Sequence, residues 1–272
     1  MNIYDFDNKG NKLVGDVPQL IDSNINFEGE NNILYCDKNV CLNKSVLNFC
    51  GSNSLIYLGI GVHKVNILLW NDSVCHCGRF VDYNDTLKIL LSEHKHCFIG
   101  DRCNISVDVI IRNSDPHLIY SCNDGNRINP TKSVYIGDHV WIGQRVNILK
   151  GTQIDSGSII GASSVVAGKK IPHNSIWVGS PSRQIKDGVF WDRTSVHGFT
   201  EEMTEFSMNY HKFISGNKDG CHDDDWIYEY DENQVIEWAD VETALSQGTP
   251  MEKCGFLMKL NIVNFKNRFV HQ

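Results

Sequence analysis

Residues 135–186 read YIGDHVWIGQRVNILKGTQIDSGSIIGASSVVAGKKIPHNSIWVGSPSRQIK. Aliphatic side chains recur at every sixth position, at Ile136, Ile142, Ile148, Ile154, Ile160 and Val166, and Gly137, Gly143 and Gly161 directly follow three of them. A period of six is neither the 3.6 of a helix nor the bare alternation of a strand. It suits a short strand plus a turn, repeated, with one inward aliphatic per repeat, and fixed periods of this kind mark solenoids. Three repeats close a triangular coil, so Ile136 is expected to stack on Ile154, Ile142 on Ile160 and Ile148 on Val166. Each coil then adds about 4.8 Å, the spacing of hydrogen-bonded strands. The glycines fall beside the inward residue, where the backbone turns tightly and a Cβ would crowd it.

Upstream the same spacing holds at Leu87, Ile99, Ile105 and Ile111, with Glu93 breaking it once. It returns in shifted frames as Leu34, Val40, Val46 and as Ile56, Val62, Leu68, Val74, Phe80, which predicts earlier, less regular coils over 27–80. Ile136 follows Ile111 by 25 positions, not a multiple of six, so a loop is inserted at 112–133. Asn123-Asp124-Gly125 marks a turn inside it, and Pro116 and Pro130 stiffen its arms. The expected organisation is an N-terminal segment 1–26, a β-helix 27–186 and a C-terminal extension 187–272. In the extension, Thr200 is a candidate N-cap with Glu201 and Glu202 in the first turn. Phe199, Met203, Phe206, Tyr210, Phe213 and Ile214 then form one apolar stripe, and a second helix is expected near 240–247.

The remaining composition excludes more than it assigns. The 272 residues carry 33 acidic and 25 basic side chains, a net charge of −8, which argues against broad electrostatic capture of nucleic acid or anionic membrane. No apolar run approaches the length of a transmembrane helix. The opening MNIYDFDNKGNK lacks a signal peptide's apolar centre, so a cytoplasmic protein is expected. The ten cysteines include no Cys-x-x-Cys pair, and Cys75 and Cys77 are too close for a zinc knuckle. They are read as buried thiols in a reducing compartment. The acidic cluster Asp223, Asp224, Asp225 lacks the spacing of an EF-hand loop and is read as solvated.

Chemistry in a solenoid concentrates where the repeat is interrupted, because the coils only stack. His117, in Ser114-Asp115-Pro116-His117, sits in the one long interruption. An imidazole with an ordinary value near 6.5 can take a proton from an attacking hydroxyl and return it to a leaving group. Trp141 precedes the inward Ile142, so alternation turns it outward, and an outward indole calls for a cover: a ligand or a neighbouring subunit. Asp115 is a candidate to orient His117. The competing readings are a solvated loop histidine and a tryptophan that only packs.

The 135–186 run resembles the hexapeptide-repeat acyltransferases, which fold as a left-handed parallel β-helix, and among them the capsular polysaccharide and sialic acid O-acetyltransferases. The handedness is implied by that resemblance and not by the period. It further implies acetyl-CoA as donor, bound in a groove between the subunits of a homotrimer, and His117 as the base that deprotonates a sugar hydroxyl. By position, Gln144 and Ala162 would line the groove, and Lys169, Arg183 and Lys186 would meet coenzyme phosphates. Gly168 marks a departure: AGKKIP stands where relatives more often carry the shorter TKDIP, which blurs the choice between Lys169 and Lys170. Arg112, Arg127 and Lys132 flank the histidine and would suit an anionic acceptor. No metal is expected, although His94, His96, His117 and His139 are counted against the metal site of the γ-class carbonic anhydrases, which share the fold.

Two alternatives accompany this reading. One is N-acetylation of a nucleotide-linked amino sugar or an antibiotic. The other is a catalytically silent trimeric scaffold. The segment after about 190 is expected to serve the acceptor or the assembly, with its amphipathic helix docked on the β-helix flank and the acidic stretch 219–232 away from His117.

Overall fold

In a computed structural model, which describes residues 2–216, 230–231, 234–262 and 266–270, strands stack into three faces of a prism. The first face is a nine-stranded sheet running from Ile3–Asp5 to Lys170–Ile171. The second combines a three-stranded sheet beginning at Gln19–Ile21 with a six-stranded one ending at Arg183–Lys186. The third has seven strands, from Asn24–Phe27 to Val165–Ala167. Pairing is parallel from coil to coil, and only the two terminal pairs, Ile3–Asp5 with Lys12–Gly15 and Ile176–Val178 with Arg183–Lys186, are antiparallel. The expected stacks form: Ile136 opposes Ile154, Ile142 opposes Ile160 and Ile148 opposes Val166, all fully buried.

The earlier coils are longer than hexads predict. Cys75 opposes Cys97 and Lys88 opposes Ile110, a pitch of 22 residues instead of 18. The extra residues occupy the corners, many of them in the left-handed region, as at Asn31, Asn53, Asp72 and Arg102. Six-residue frames therefore drift off the inward positions. Val46 gives way to Leu47, while Val62 and Phe80 face solvent and Glu93 is a corner residue. Stacking also begins well before residue 27. Lys12–Gly15, Gln19–Ile21 and Asn24–Phe27 each pair in parallel with the next coil. Their polar outward positions hide the few inward ones, Leu13, Ile25 and Phe27, that meet the core.

The C-terminal part explains why strands of the first face are buried on both sides. Helices α1 (Glu201–Ser207), α2 (Tyr210–Gly216), α3 (Trp238–Ser246) and α4 (Pro250–Ile262) follow the solenoid. Outward Tyr35, Leu55, Tyr57, Phe98 and Tyr135 share one apolar cluster with Trp238, Val241, Leu245, Leu257 and Phe269. Covering aromatic side chains on this scale is worth about 1.5–3 kcal/mol each before chain entropy is subtracted. Trp238 stacks on Phe269 at 4.1 Å and on Tyr135 at 5.1 Å. Thr200 caps α1 as expected, accepting from the Met203 N–H. The predicted stripe, however, is broken between α1 and α2 at Met208-Asn209 and leaves Met203 and Phe206 exposed, with only Phe213 well buried. The helices that dock on the flank are α3, near where a helix is expected, and α4. Nearly all of the acidic stretch, including Asp223–Asp225, lies outside the described residues.

Candidate active site

The insertion leaves the third face after Arg112 and rejoins the first face at Val134. It adds length without disturbing the ladder: on all three faces the strands before it pair with partners 37 residues later, such as Ile99 with Ile136 and Asn104 with Trp141. Inside it the chain doubles back. Gly125 takes a positive φ at the turn, and Tyr120 bridges Arg127 in antiparallel fashion.

His117 stands on the outgoing arm with its side chain exposed and, among the described residues, without a hydrogen-bond partner for its imidazole. Asp115 does not orient it. Its carboxylate takes a hydrogen bond from Lys150 Nζ at 2.5 Å and another from Asn129 Nδ2 at 3.0 Å. Those two bonds, that of Lys150 first, hold the Asp115 carboxyl below its ordinary range. Asn129 Nδ2 also donates to the His117 carbonyl at 2.8 Å, so histidine and carboxylate are linked through the asparagine amide. On the return arm, Arg127 forms a two-pronged ion pair with Glu93 at 3.0 Å, and Thr131 donates to the same carboxylate. The Arg127 bond, then that of Thr131, lowers the Glu93 carboxyl. Of the flanking cations, Arg127 is thus committed to the loop's own attachment. Glu93, Asn129 and Lys150 were invisible as site residues in the sequence. The only signals were a charged residue at a broken hexad and an asparagine ahead of Pro130.

Trp141 lies on the second face, 42% exposed, as alternation requires. Part of its cover comes from the C-terminal extension: its ring centroid is 6.0 Å from that of Trp191. Trp191 in turn stacks flat on His139 at 4.1 Å and donates its indole N–H to the His139 carbonyl. Gln144 and Ala162 occupy the same exposed corner between the second and third faces, one coil apart, and the Ser163 N–H donates to the Gln144 carbonyl. Arg183 and Lys186 are exposed on the last strand of the second face. Gly168 and Lys169 sit at the other corner, between the third and first faces, where the Gly168 N–H donates to the Lys150 carbonyl. The chain therefore gathers His117, Asp115, Gly168 and Lys169 on one edge of the prism and Gln144 and Ala162 on another. It does not bring them into a single pocket.

The remaining histidines lie in separate settings. His94 pairs with Asp72, His96 accepts from the Val74 N–H, and His139 is stacked on Trp191. The nine described cysteines are free thiols, with Cys122 exposed in the insertion.

The family described as bacterial transferase hexapeptide (six repeats) matches residues 133–168. Over 172 residues the chain is 31% identical to the polysialic acid O-acetyltransferase of Neisseria meningitidis, spanning 62% of this chain and 79% of that protein. The chain belongs to the hexapeptide-repeat acetyltransferases. Within them it is also similar to the galactoside O-acetyltransferase of Lactococcus lactis, 31% identical over 163 residues, 58% of this chain and 65% of that one. Among solved structures, the polySia specific acetyltransferase NeuO superposes with a TM-score of 0.62 at 28% identity, covering 77% of this chain and 94% of its own. The chain thus has the hexapeptide-repeat acetyltransferase fold, a left-handed parallel β-helix, and carries a helical C-terminal part. No helix among the described residues is long and apolar enough to cross a membrane.

Proposed function

We propose that this acetyltransferase moves an acetyl group from acetyl-CoA to a hydroxyl of a bacterial surface glycan, with a sialic acid as the leading acceptor. The observation that carries the reading is His117: an exposed imidazole without a hydrogen-bond partner among the described residues, in the long interruption of the solenoid, on a main chain held by Asn129 at positions 117 and 119. In the proposed step the imidazole takes the hydroxyl proton as the oxygen attacks the thioester carbonyl. The C–S bond then breaks and the proton passes from the imidazolium to the departing thiolate. Trp141 serves the acceptor or the acyl oxygen as an exposed ring with an indole N–H donor. Gln144, Ala162, Gly168, Lys169, Arg183 and Lys186 are assigned to the coenzyme.

The separation of these groups over two edges of the prism favours an active site completed between neighbouring subunits, in a homotrimer. Acetyl-CoA as donor supports a cytoplasmic reaction. The named acceptors of the relatives, polysialic acid and a galactoside, favour O-acetylation over N-acetylation.

Mass spectrometry of acetyl transfer from acetyl-CoA onto a panel of sialylated and neutral glycans tests the acceptor. His117→Ala tests the base, and loss of a general base costs about 10²–10⁴-fold. A His117→Ala enzyme retaining a third of its activity would remove the assignment. Titration calorimetry separates the scaffold reading: a wild-type protein that fails to bind acetyl-CoA, or binds it without turnover on any acceptor, would favour a silent β-helix.

A further inference from the structure

We propose that Asn129 is the positioning residue of this site, setting His117 through its main chain; the inference rests on the reading of His117 as base. Asn129 is 5% exposed, and every hydrogen-bonding group of its side chain is used. Nδ2 donates to the Asp115 carboxylate at 3.0 Å and to the His117 carbonyl at 2.8 Å. Oδ1 accepts from the Ile119 N–H at 2.9 Å and from Arg127 Nε at 3.3 Å. The amide orientation is fixed by these partners, because a flipped amide would set N–H against N–H at Ile119 and oxygen against oxygen at His117.

The pattern of contacts gives the residue its role. Asn129 meets residues 115, 117 and 119, alternate residues of the outgoing arm: it grips the main chain at the His117 carbonyl and at the Ile119 N–H, and two residues before His117 it holds the Asp115 carboxylate. Asn129 is in turn held by Lys150, whose ammonium donates to the Asn129 carbonyl at 3.2 Å and to Asp115 at 2.5 Å. Lys150 is part of the solenoid, one residue past the strand Asn147–Leu149. The rigid prism is thereby coupled to the backbone beneath the base. With Asp115 engaged by Lys150, no carboxylate among the described residues bonds the ring, and the position of the His117 main chain does that work. A misplacement of about 1 Å at a reacting group costs on the order of 10²-fold in rate.

The test compares Asn129→Ala, Asn129→Asp and His117→Ala, each assayed for kcat, for KM of acetyl-CoA and of the best glycan acceptor, for the pH profile of kcat/KM, and for melting temperature. Asn129→Asp preserves shape and loses the Nδ2 donor. The expected result for both asparagine variants is a kcat lowered by about 10- to 100-fold. KM for acetyl-CoA stays within about two-fold, the acid limb of the profile stays in place because the same base operates, and melting stays close to wild type. If His117→Ala abolishes turnover while the asparagine variants keep kcat within two-fold, the positioning role is overturned and the base assignment stands. A fall in melting temperature with both KM values raised in step would also overturn it, by making Asn129 a fold residue only. If His117→Ala remains active, the reading beneath the proposal fails, whatever the asparagine variants do.

Discussion

Arg268 and Asp138, 130 residues apart in the chain and fully buried, meet through two side-chain bonds: Arg268 Nη2 to Asp138 Oδ1 at 2.6 Å and Arg268 Nε to Asp138 Oδ2 at 2.8 Å. The Arg268 main-chain N–H adds a third bond to the same carboxylate at 2.9 Å. Arg268 also lies 3.2 Å from Asp101 Oδ2, which Arg79 holds at 2.6 Å. These aspartates occupy successive coils at the corner after the first face; in the next coil Ser156 stands in register with them, and its neighbour Asp155 accepts from the Trp238 indole. The end of the chain is thus pinned to a column of buried carboxylates.

Removing one side of such a pair strands the other in a medium that cannot solvate it. Arg268→Met should lower unfolding free energy by about 3–5 kcal/mol. Urea denaturation followed by circular dichroism measures it. A loss under about 1 kcal/mol would mean that water replaces the guanidinium and that the pair is not isolated.

Acid should weaken the fold well above the range of ordinary carboxylates. His76 is stacked between Tyr57 and Phe98, with Nδ1 against the Ile99 carbonyl and Nε2 facing the Asn261 amide. Burial pushes its imidazole down to about 3, and burial does the same for His96, also to about 3. Because the folded value lies below the unfolded one of about 6.5, stability from these groups is present above pH 6.5 and drains away as pH falls toward 3. Glu242 acts in the same direction lower down. Burial would raise its carboxyl, but hydrogen bonds from Lys95, Ser133 and Tyr135 outweigh that and hold it at about 2. The urea midpoint should therefore drop steadily from pH 7 to pH 4, and less so in His76→Phe. An unchanged midpoint across that interval would show these histidines to be solvated.

Truncation after Asp192 removes the cover from Tyr35, Leu55, Tyr57, Phe98 and Tyr135. The sequence alone suggests that acetyl-CoA affinity would survive such a cut, since the donor positions end at Lys186. The structure changes that expectation. The truncated chain should expose a continuous apolar face and partition into the insoluble fraction or bind a hydrophobic dye strongly. Soluble, monodisperse protein with native melting would count against the packing described above.

Gly78→Ala tests the corner column from the backbone side. A Cβ there would lie 2.4 Å from the Gly100 carbonyl oxygen and 2.8 Å from the Asp101 N–H nitrogen, and neither can yield without shifting a coil. The expected cost is about 1–3 kcal/mol, that of overpacking a close-packed interior. A substitution that leaves the melting temperature unchanged would mean that neighbouring coils can slide apart.

What the sequence discloses follows the regularity of the coil. From Ile136 to Val166 the pitch is 18 residues and every inward aliphatic is correctly placed. Before Ile111 the pitch is set by corners of variable length, and Asn or Asp in left-handed conformations lets them lengthen without a hydrophobic signature. Tyr35, Tyr57, Phe98 and Tyr135 could not be read as buried outward residues, because their partners lie a hundred residues or more downstream in α3, α4 and the segment at Phe269. His117 and Trp141 are where repeat interruption and strand alternation put them. The expected Asp115–His117 contact is absent because the carboxylate is taken by the ammonium of Lys150, 35 residues on. No local spacing encodes that choice.

The C-terminal cover has a consequence for how the molecule melts. A stack in which each repeat touches only its neighbours frays from its ends, and its stability is close to a sum of nearest-neighbour terms. Here one cluster joins α3, α4 and Phe269 to Val14, Ile33, Leu55, Val74, Phe98 and Tyr135, which belong to six successive strands of the first face. Residues from both ends of the chain thus lose their contacts together, converting a linear array into a single cooperative unit. Tyr135 of that cluster begins the coil from which Lys150 reaches Asp115 and the Asn129 carbonyl, so the loop is mounted next to the cooperative unit.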